Sequence, residues 1–207
     1  MHGTTIMPSR SNQNHRRTRT IPPLAKLDAT SFDLACGIPI VTGSFIKMVE
    51  EQHLRYDPTS SVRVIIDIEA GFALHELENA DRANIRIIVV TFSCCPEYWE
   101  DLWDLQPEVL IVDSNYEHDF ASAIVRVTHG EKYRQVPSLT TPLSKHEREV
   151  LCYLARGWSN KRIALHTHVQ EKTIMNTLTS VYNKLHLENR TQALLYYWGI
   201  STNVYAS

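Results

Sequence analysis

The chain has 207 residues, 43% hydrophobic and 21% charged, with a formal net charge of −2. This is the profile of an ordinary soluble globular protein, long enough for one large or two small domains with a buried core. No apolar run approaches the roughly 20 residues a bilayer-spanning helix needs, which excludes a membrane protein.

The small net charge hides three unequal segments. Residues 1–23 carry four Arg and no acid, residues 24–142 nine basic and nineteen acidic side chains, and residues 143–207 eight basic and four acidic ones. A basic C-terminal segment suits a polyanion, and the acidic middle would repel one. Cys36, Cys94, Cys95 and Cys152 show neither metal-ligand spacing nor the density of a small secreted scaffold, so reduced thiols of a cytoplasmic protein are expected.

In chain order, residues 1–23 are polar, Arg-bearing and free of apolar periodicity, and are expected to be a disordered basic tail. It is either an unstructured leader or an arm touching DNA phosphates. Residues 24–135 then alternate short apolar runs with helical patterns. A first strand near Leu24–Asp28 and a helix over 44–54 are the least legible elements. Residues 61–67 (SVRVIID), 84–92 (NIRIIVVTF) and 108–114 (EVLIVDS) are β-branched and short, as buried strands are. Residues 70–80 and 96–105 read as helices between them, and a helix around Phe120 to Thr128 closes on Gly130. Strands alternating with helices imply parallel βαβ units, that is, a doubly wound α/β domain. Trp99 and Trp103, four apart on one helix, are either core or a contact patch. Residues 136–142, with Pro137 and Pro142, form a short polar linker.

Residues 143–207 form an all-α unit of four short helices. Ser144 with Glu147 makes a capping-box signature, Gly157 a stop, and Ser159 a second cap. Ile174, Leu178, Val181 and Leu185 fall on one face of a third helix, and a fourth starts near Thr191. The short connection between helices two and three is the layout of a helix-turn-helix.

The motifs LSKHEREVL, ARGWSNKRIA, TIMNTL and KLHLENRTQA resemble the DNA-binding domain of the LuxR/NarL (FixJ)-type bacterial transcription regulators. The order of strands before them resembles the flavodoxin-like receiver domain of two-component response regulators. That resemblance implies a phosphoacceptor Asp at a strand end, matched by Asp67, and a Thr at the next, matched by Thr91. It also implies a Lys after the last strand, where Val112-Asp113 stands, and a paired acidic Mg²⁺ site near the first strand, where only Asp28 and Asp33 occur, apart. Phosphoryl transfer to a carboxylate needs both cations. The receiver is therefore read as degenerate, with Asp67 and Thr91 vestigial and regulation independent of phosphorylation.

In a helix-turn-helix the second helix enters the major groove. Its outward residues are Lys172, Met175, Asn176, Thr179, Ser180 and Asn183. Asn pairs with adenine, and Thr or Met meets a thymine methyl, or Met175 is simply exposed. Lys161, Lys172, Thr173 and Lys184 suit phosphates. His168 and His186 stand where the family has glycine, and are expected to tolerate a positive φ. His166 with His168 lacks a third ligand at sensible spacing, so no metal and no cofactor is expected. Family resemblance also implies dimerisation through the last helix, whose Tyr196, Tyr197 and Trp198 exceed what one small domain needs. Double-stranded DNA is the expected partner, bound as a homodimer or as a heterodimer with a related regulator. The alternative reading is an auxiliary protein that modulates such a regulator. No nucleophile–base constellation marks an enzyme.

Overall fold

A computed structural model describes residues 31–69, 71–112 and 116–200. The tail over 1–23, the strand placed near Leu24–Asp28, and Asp113 lie outside the described residues. Six strands form one parallel sheet in the order β2-β1-β3-β4-β5-β6: β1 Ser31–Cys36, β2 Arg55–Tyr56, β3 Val62–Asp67, β4 Arg86–Thr91, β5 Val109–Val112 and β6 Tyr133–Gln135. Helices α1 (Pro39–Glu50), α2 (Phe72–Asn79), α3 (Pro96–Asp104) and α4 (Tyr116–Thr128) connect them. The order of β2-β1-β3-β4-β5 reverses between β1 and β3, as in doubly wound sheets.

Alternation along the strands divides two cores. Val62, Val64, Ile66, Ile88, Val90, Val109 and Ile111 pack with Phe45, Val49, Ile124 and Val127 of α1 and α4. Ile65, Ile87, Val89, Leu110 and Val112 face the opposite way, onto Leu74 and Leu77 of α2 and Tyr98, Trp99 and Leu102 of α3. A period of two on a doubly covered sheet makes each strand nearly continuous in apolar residues. The helix expected over 44–54 is α1, which starts earlier at Pro39. A proline fits the first helical turn, whose N–H lacks an intrahelical acceptor anyway. The strands β2 and β6 were not foreseen.

The C-terminal helices are α5 (Lys145–Ala155), α6 (Asn160–His166), α7 (Glu171–Lys184) and α8 (Arg190–Tyr197). The capping box at Ser144 and Glu147 is present in full, and Ser159 caps α6. Gly157 takes φ 81°, and His168 and His186 take φ 56° and 54°, so histidine does serve at the two turns. Ile174, Leu178, Val181 and Leu185 are all buried.

These helices do not stand apart from the sheet. Their core is continuous with the α2–α3 side of the α/β half. Helix α3 is the shared wall. Glu97, with no exposed surface, accepts hydrogen bonds from the hydroxyls of Tyr196 (2.6 Å) and Thr141 (2.5 Å). Asp101 accepts from Tyr197 (2.7 Å) and pairs with Arg148, which also reaches Asp104 at 2.8 Å. The ring of Trp198 lies so close over Gly71 that a Cβ there would sit 2.9 Å from it. Gly71 also holds φ 93°, so a side chain is disfavoured twice. The surplus of aromatic residues on α8 is thus real, but Tyr196 and Tyr197 are buried against α3 of the same chain and are no exposed patch. Trp99 is core, packed under α3.

Burial of Asp101 pushes its carboxyl up to about 6 from 3.8, against the opposing hydrogen bonds from Tyr197 and Arg148. The groups around it are Tyr197, Arg148, Asp104 and Cys152. A carboxyl that is harder to ionise in the folded state destabilises that state once it ionises, so stability falls as pH rises from about 4 to 6. Asp101→Asn, which carries no charge, should gain stability relative to wild type over that window, on the order of 1–3 kcal/mol. Thermal unfolding of both proteins from pH 4 to 7 checks this; a difference that does not change with pH contradicts it.

Candidate nucleic-acid interface

Helix α7 owes its position to two contacts with the rest of the C-terminal unit. Its apolar stripe, Ile174, Leu178 and Val181, packs into the core beside α5 and α6. On its flank, Glu147 of the α5 capping box accepts from Ser180 Oγ (2.8 Å) and from Lys184 Nζ (2.7 Å) while also accepting the Ser144 N–H (2.8 Å). Burial would raise the Glu147 carboxyl, but bonds from Lys184, the Ser144 backbone and Ser180 outweigh it and bring it down to about 2. One carboxylate therefore joins the start of α5 to the last two turns of α7.

The opposite face of α7 is open. Lys172, Met175, Asn176, Thr179 and Asn183 are all exposed and stand at i, i+3, i+4, i+7 and i+11, a single stripe along the helix. Thr173 is exposed at the first turn beside it, and Lys161 is exposed on α6. Ser180 is half-buried and Lys184 exposed, and both side chains turn to Glu147. Serine and lysine at these positions look outward by helical spacing, and only the tertiary partner draws them aside.

The docking onto α3 leaves this stripe uncovered. It engages Arg148 of α5, Arg156 just beyond it, which pairs with Glu78 at 2.6 Å, and Tyr196 and Tyr197 of α8. The open stripe of α7 and the docking face are different sides of the C-terminal unit.

His166 belongs to an aromatic cluster. It stands edge-on to Tyr153 and Trp158, whose rings stack at 4.6 Å, and Arg162 lies 4.0 Å over Trp158. This cluster braces the junction of α5 and α6. Neither Tyr153 nor Arg162 was singled out in the sequence, because their spacing carries no periodic signal across the intervening turn.

In the α/β half, Asp67 and Thr91 are direct neighbours at the carboxyl ends of β3 and β4. Asp67 is 2% exposed. One oxygen accepts the Ala73 N–H (2.9 Å); the other accepts the hydroxyls of Thr91 (2.7 Å) and Tyr98 (2.9 Å). Burial raises its pKa, and these three hydrogen bonds only partly oppose that. Strand β1 ends in Ala35-Cys36 with Gly37 following, and Asp33 is drawn away to Arg63 at 2.7 Å. The Glu69 carboxylate lies against Gly37, and Asp67 already accepts three hydrogen bonds. A divalent cation such as Mg²⁺ needs near-octahedral oxygen ligands, and these residues do not fit one.

Residues 141–197 match the family model described as bacterial regulatory proteins, luxR family. The response regulator protein VraR of Staphylococcus saprophyticus is 25% identical over 166 residues, covering 72% of this chain and 77% of that protein. VraR of Staphylococcus aureus strain Mu3 is 26% identical over 130 residues, which span 56% of this chain and 62% of that relative. Among solved structures, the response regulator RcsB in complex with DNA shares the fold at a TM-score of 0.52 and 20% identity, over 84% of this chain and all of that one. A second RcsB structure, two dimers on two parallel DNAs, matches with a TM-score of 0.51 at 21% identity over the same shares. The C-terminal helices are therefore a domain of the luxR family of bacterial regulatory proteins, carried behind a receiver-like α/β domain.

Proposed function

We propose that the chain is a cytoplasmic transcription regulator that reads double-stranded DNA through α7, and that it does so without phosphorylation of Asp67. The observation that carries this is the open stripe from Lys172 to Asn183, exposed while the opposite face of α7, Ile174, Leu178 and Val181, is packed in the core. Such a stripe opposite a buried face is what a recognition helix presents to the major groove. RcsB, whose fold is shared, has been solved on DNA. In this reading Asn176 meets a base edge, with Met175, Thr179 and Asn183 beside it. Lys172, Lys161, Thr173 and the α7 amino-terminal N–H groups take phosphates. Ser180 and Lys184 serve mainly to hold α7 through Glu147. The functional units are a receiver-like domain over 24–135, a linker over 136–142 and a DNA-binding domain over 143–207.

The sealing of Asp67 supports independence from phosphorylation. Attack on a phosphoryl donor needs a free carboxylate oxygen and a cation to offset the gathering negative charge. Here burial and three hydrogen bonds withhold the first, and the β1 end does not supply ligands for the second.

A specific observation also favours an association. The outward stripe of α7 contains one cation, Lys172, and phosphate contacts supply most DNA affinity. Two reading domains on one duplex offset that shortage through their raised effective concentration. The second copy is either this chain or a related regulator that it modulates. Since Tyr196 and Tyr197 are occupied by α3, dimerisation uses other surfaces or follows release of α3.

Two outcomes follow. Lys172→Ala with Asn176→Ala should abolish discrete genomic occupancy of the tagged protein and cut duplex affinity by about tenfold or more, with unfolding unchanged because both residues are exposed. Peaks that survive contradict the assignment of α7. Asp67→Asn should keep regulation at wild-type level, and the wild-type chain should take up no phosphoryl group from acetyl phosphate by intact mass. A phosphoryl adduct, or loss of regulation at normal protein levels, sinks the phosphorylation-independent reading.

A further inference from the structure

The chemistry of the α7 stripe goes further than DNA binding and points to which bases it reads; this step rests on the reading function proposed above. The stripe is Lys172, Met175, Asn176, Thr179 and Asn183, with neither an arginine nor a carboxylate on it. Arginine is the commonest side chain for guanine, because its fork matches the two major-groove acceptors. Lys184, which by composition could have added a cation, is held at 2.7 Å by Glu147 on the flank.

Lysine can also bind guanine, but Lys172, at the first turn of α7, is the residue assigned above to phosphate; the rest of the stripe is thioether, amide and one hydroxyl. Met175 is 54% exposed, on a helix whose other apolar residues, Ile174, Leu178 and Val181, are buried. Its thioether brings no donor, and the one apolar group on major-groove base edges is the thymine methyl. Thr179 lies one turn further on. Its hydroxyl donates to the Met175 carbonyl at 3.0 Å, so the proton that could have gone to a base is spent inside the helix, leaving the γ-methyl and an acceptor oxygen. Asn176 stands between the two. Its amide presents one donor and one acceptor, the complement of adenine N7 and N6.

We infer that the base pairs under the first three turns of α7 are A·T pairs, with thymine methyls against Met175 and Thr179 and an adenine edge on Asn176. Specificity at these pairs comes from methyl contact and one amide rather than from charge. It should therefore be insensitive to salt, while the phosphate contribution weakens as salt rises.

The test selects duplexes for the full chain from a random pool, then replaces thymine by uracil at each selected position. The expected result is a motif whose constant core is A·T, in which uracil at the contacted positions weakens binding about three- to fivefold, the effect of one lost methyl contact. Exchange of a core A·T pair for G·C should weaken it about five- to a hundredfold. Met175→Arg should move the selected base at its position toward guanine. A sharp motif centred on G·C pairs, or full indifference to uracil, overturns the inference and leaves DNA reading intact. A folded chain that selects no sequence at all overturns both.

Discussion

Helix α3 is nine residues long, and five of them, Pro96 to Trp99 and Leu102, are buried. Tyr98, Trp99 and Leu102 go into the α2–α3 core, while Glu97, Asp101 and Asp104 take hydrogen bonds or ion pairs from Tyr196, Tyr197 and Arg148. A buried carboxylate such as Glu97 is costly unless donors satisfy it. It has hydroxyl donors from Thr141, just before α5, and Tyr196, in the last helix, with the Cys95 thiol as a weaker third. That requirement ties the C-terminal helices to the sheet. Removing Thr141 takes the donor from one oxygen of this buried group, and removing Tyr196 leaves the other with only the thiol, so the docked arrangement is favoured as a whole.

The same helix reaches Asp67, at the carboxyl end of β3. The Tyr98 hydroxyl donates to Asp67 and accepts the Gly71 N–H, and its ring stands edge-on to Tyr197 and Trp198. Asp67 is a buried acceptor of three hydrogen bonds, joined through Tyr98 to the contact with the C-terminal helices. The α/β half thus acts as a platform. It holds α5 and α8 and leaves α7 facing solvent, which is why the reading stripe and the sealed Asp67 belong to one structural account.

Much of this was legible in the sequence where burial imposes a period. The three β-branched runs became β3, β4 and β5, and the stripe from Ile174 to Leu185 became the inner face of α7. Capping carried its own signal at Ser144, Glu147 and Ser159. The amino-terminal elements were harder. Strand β1 carries Asp33, whose partner Arg63 lies thirty residues on, and β2 and β6 are two- and three-residue edge strands with no run to read. For the interface, helical spacing named the stripe but could not show that Glu147 draws Ser180 and Lys184 off it. Nor could it show that Tyr196 and Tyr197 find their partner in α3, since a contact across about a hundred residues leaves no local pattern.

On the proposed function, α7 meets DNA while the C-terminal helices stay docked on α3. Hydrogen exchange of the full-length protein, with and without its selected duplex, tests it directly. The account predicts new protection over residues 160–184 and unchanged protection over α3 and α8. Loss of protection in α3 and α8 on binding would mean that reading requires the docked face to open, and would contradict it.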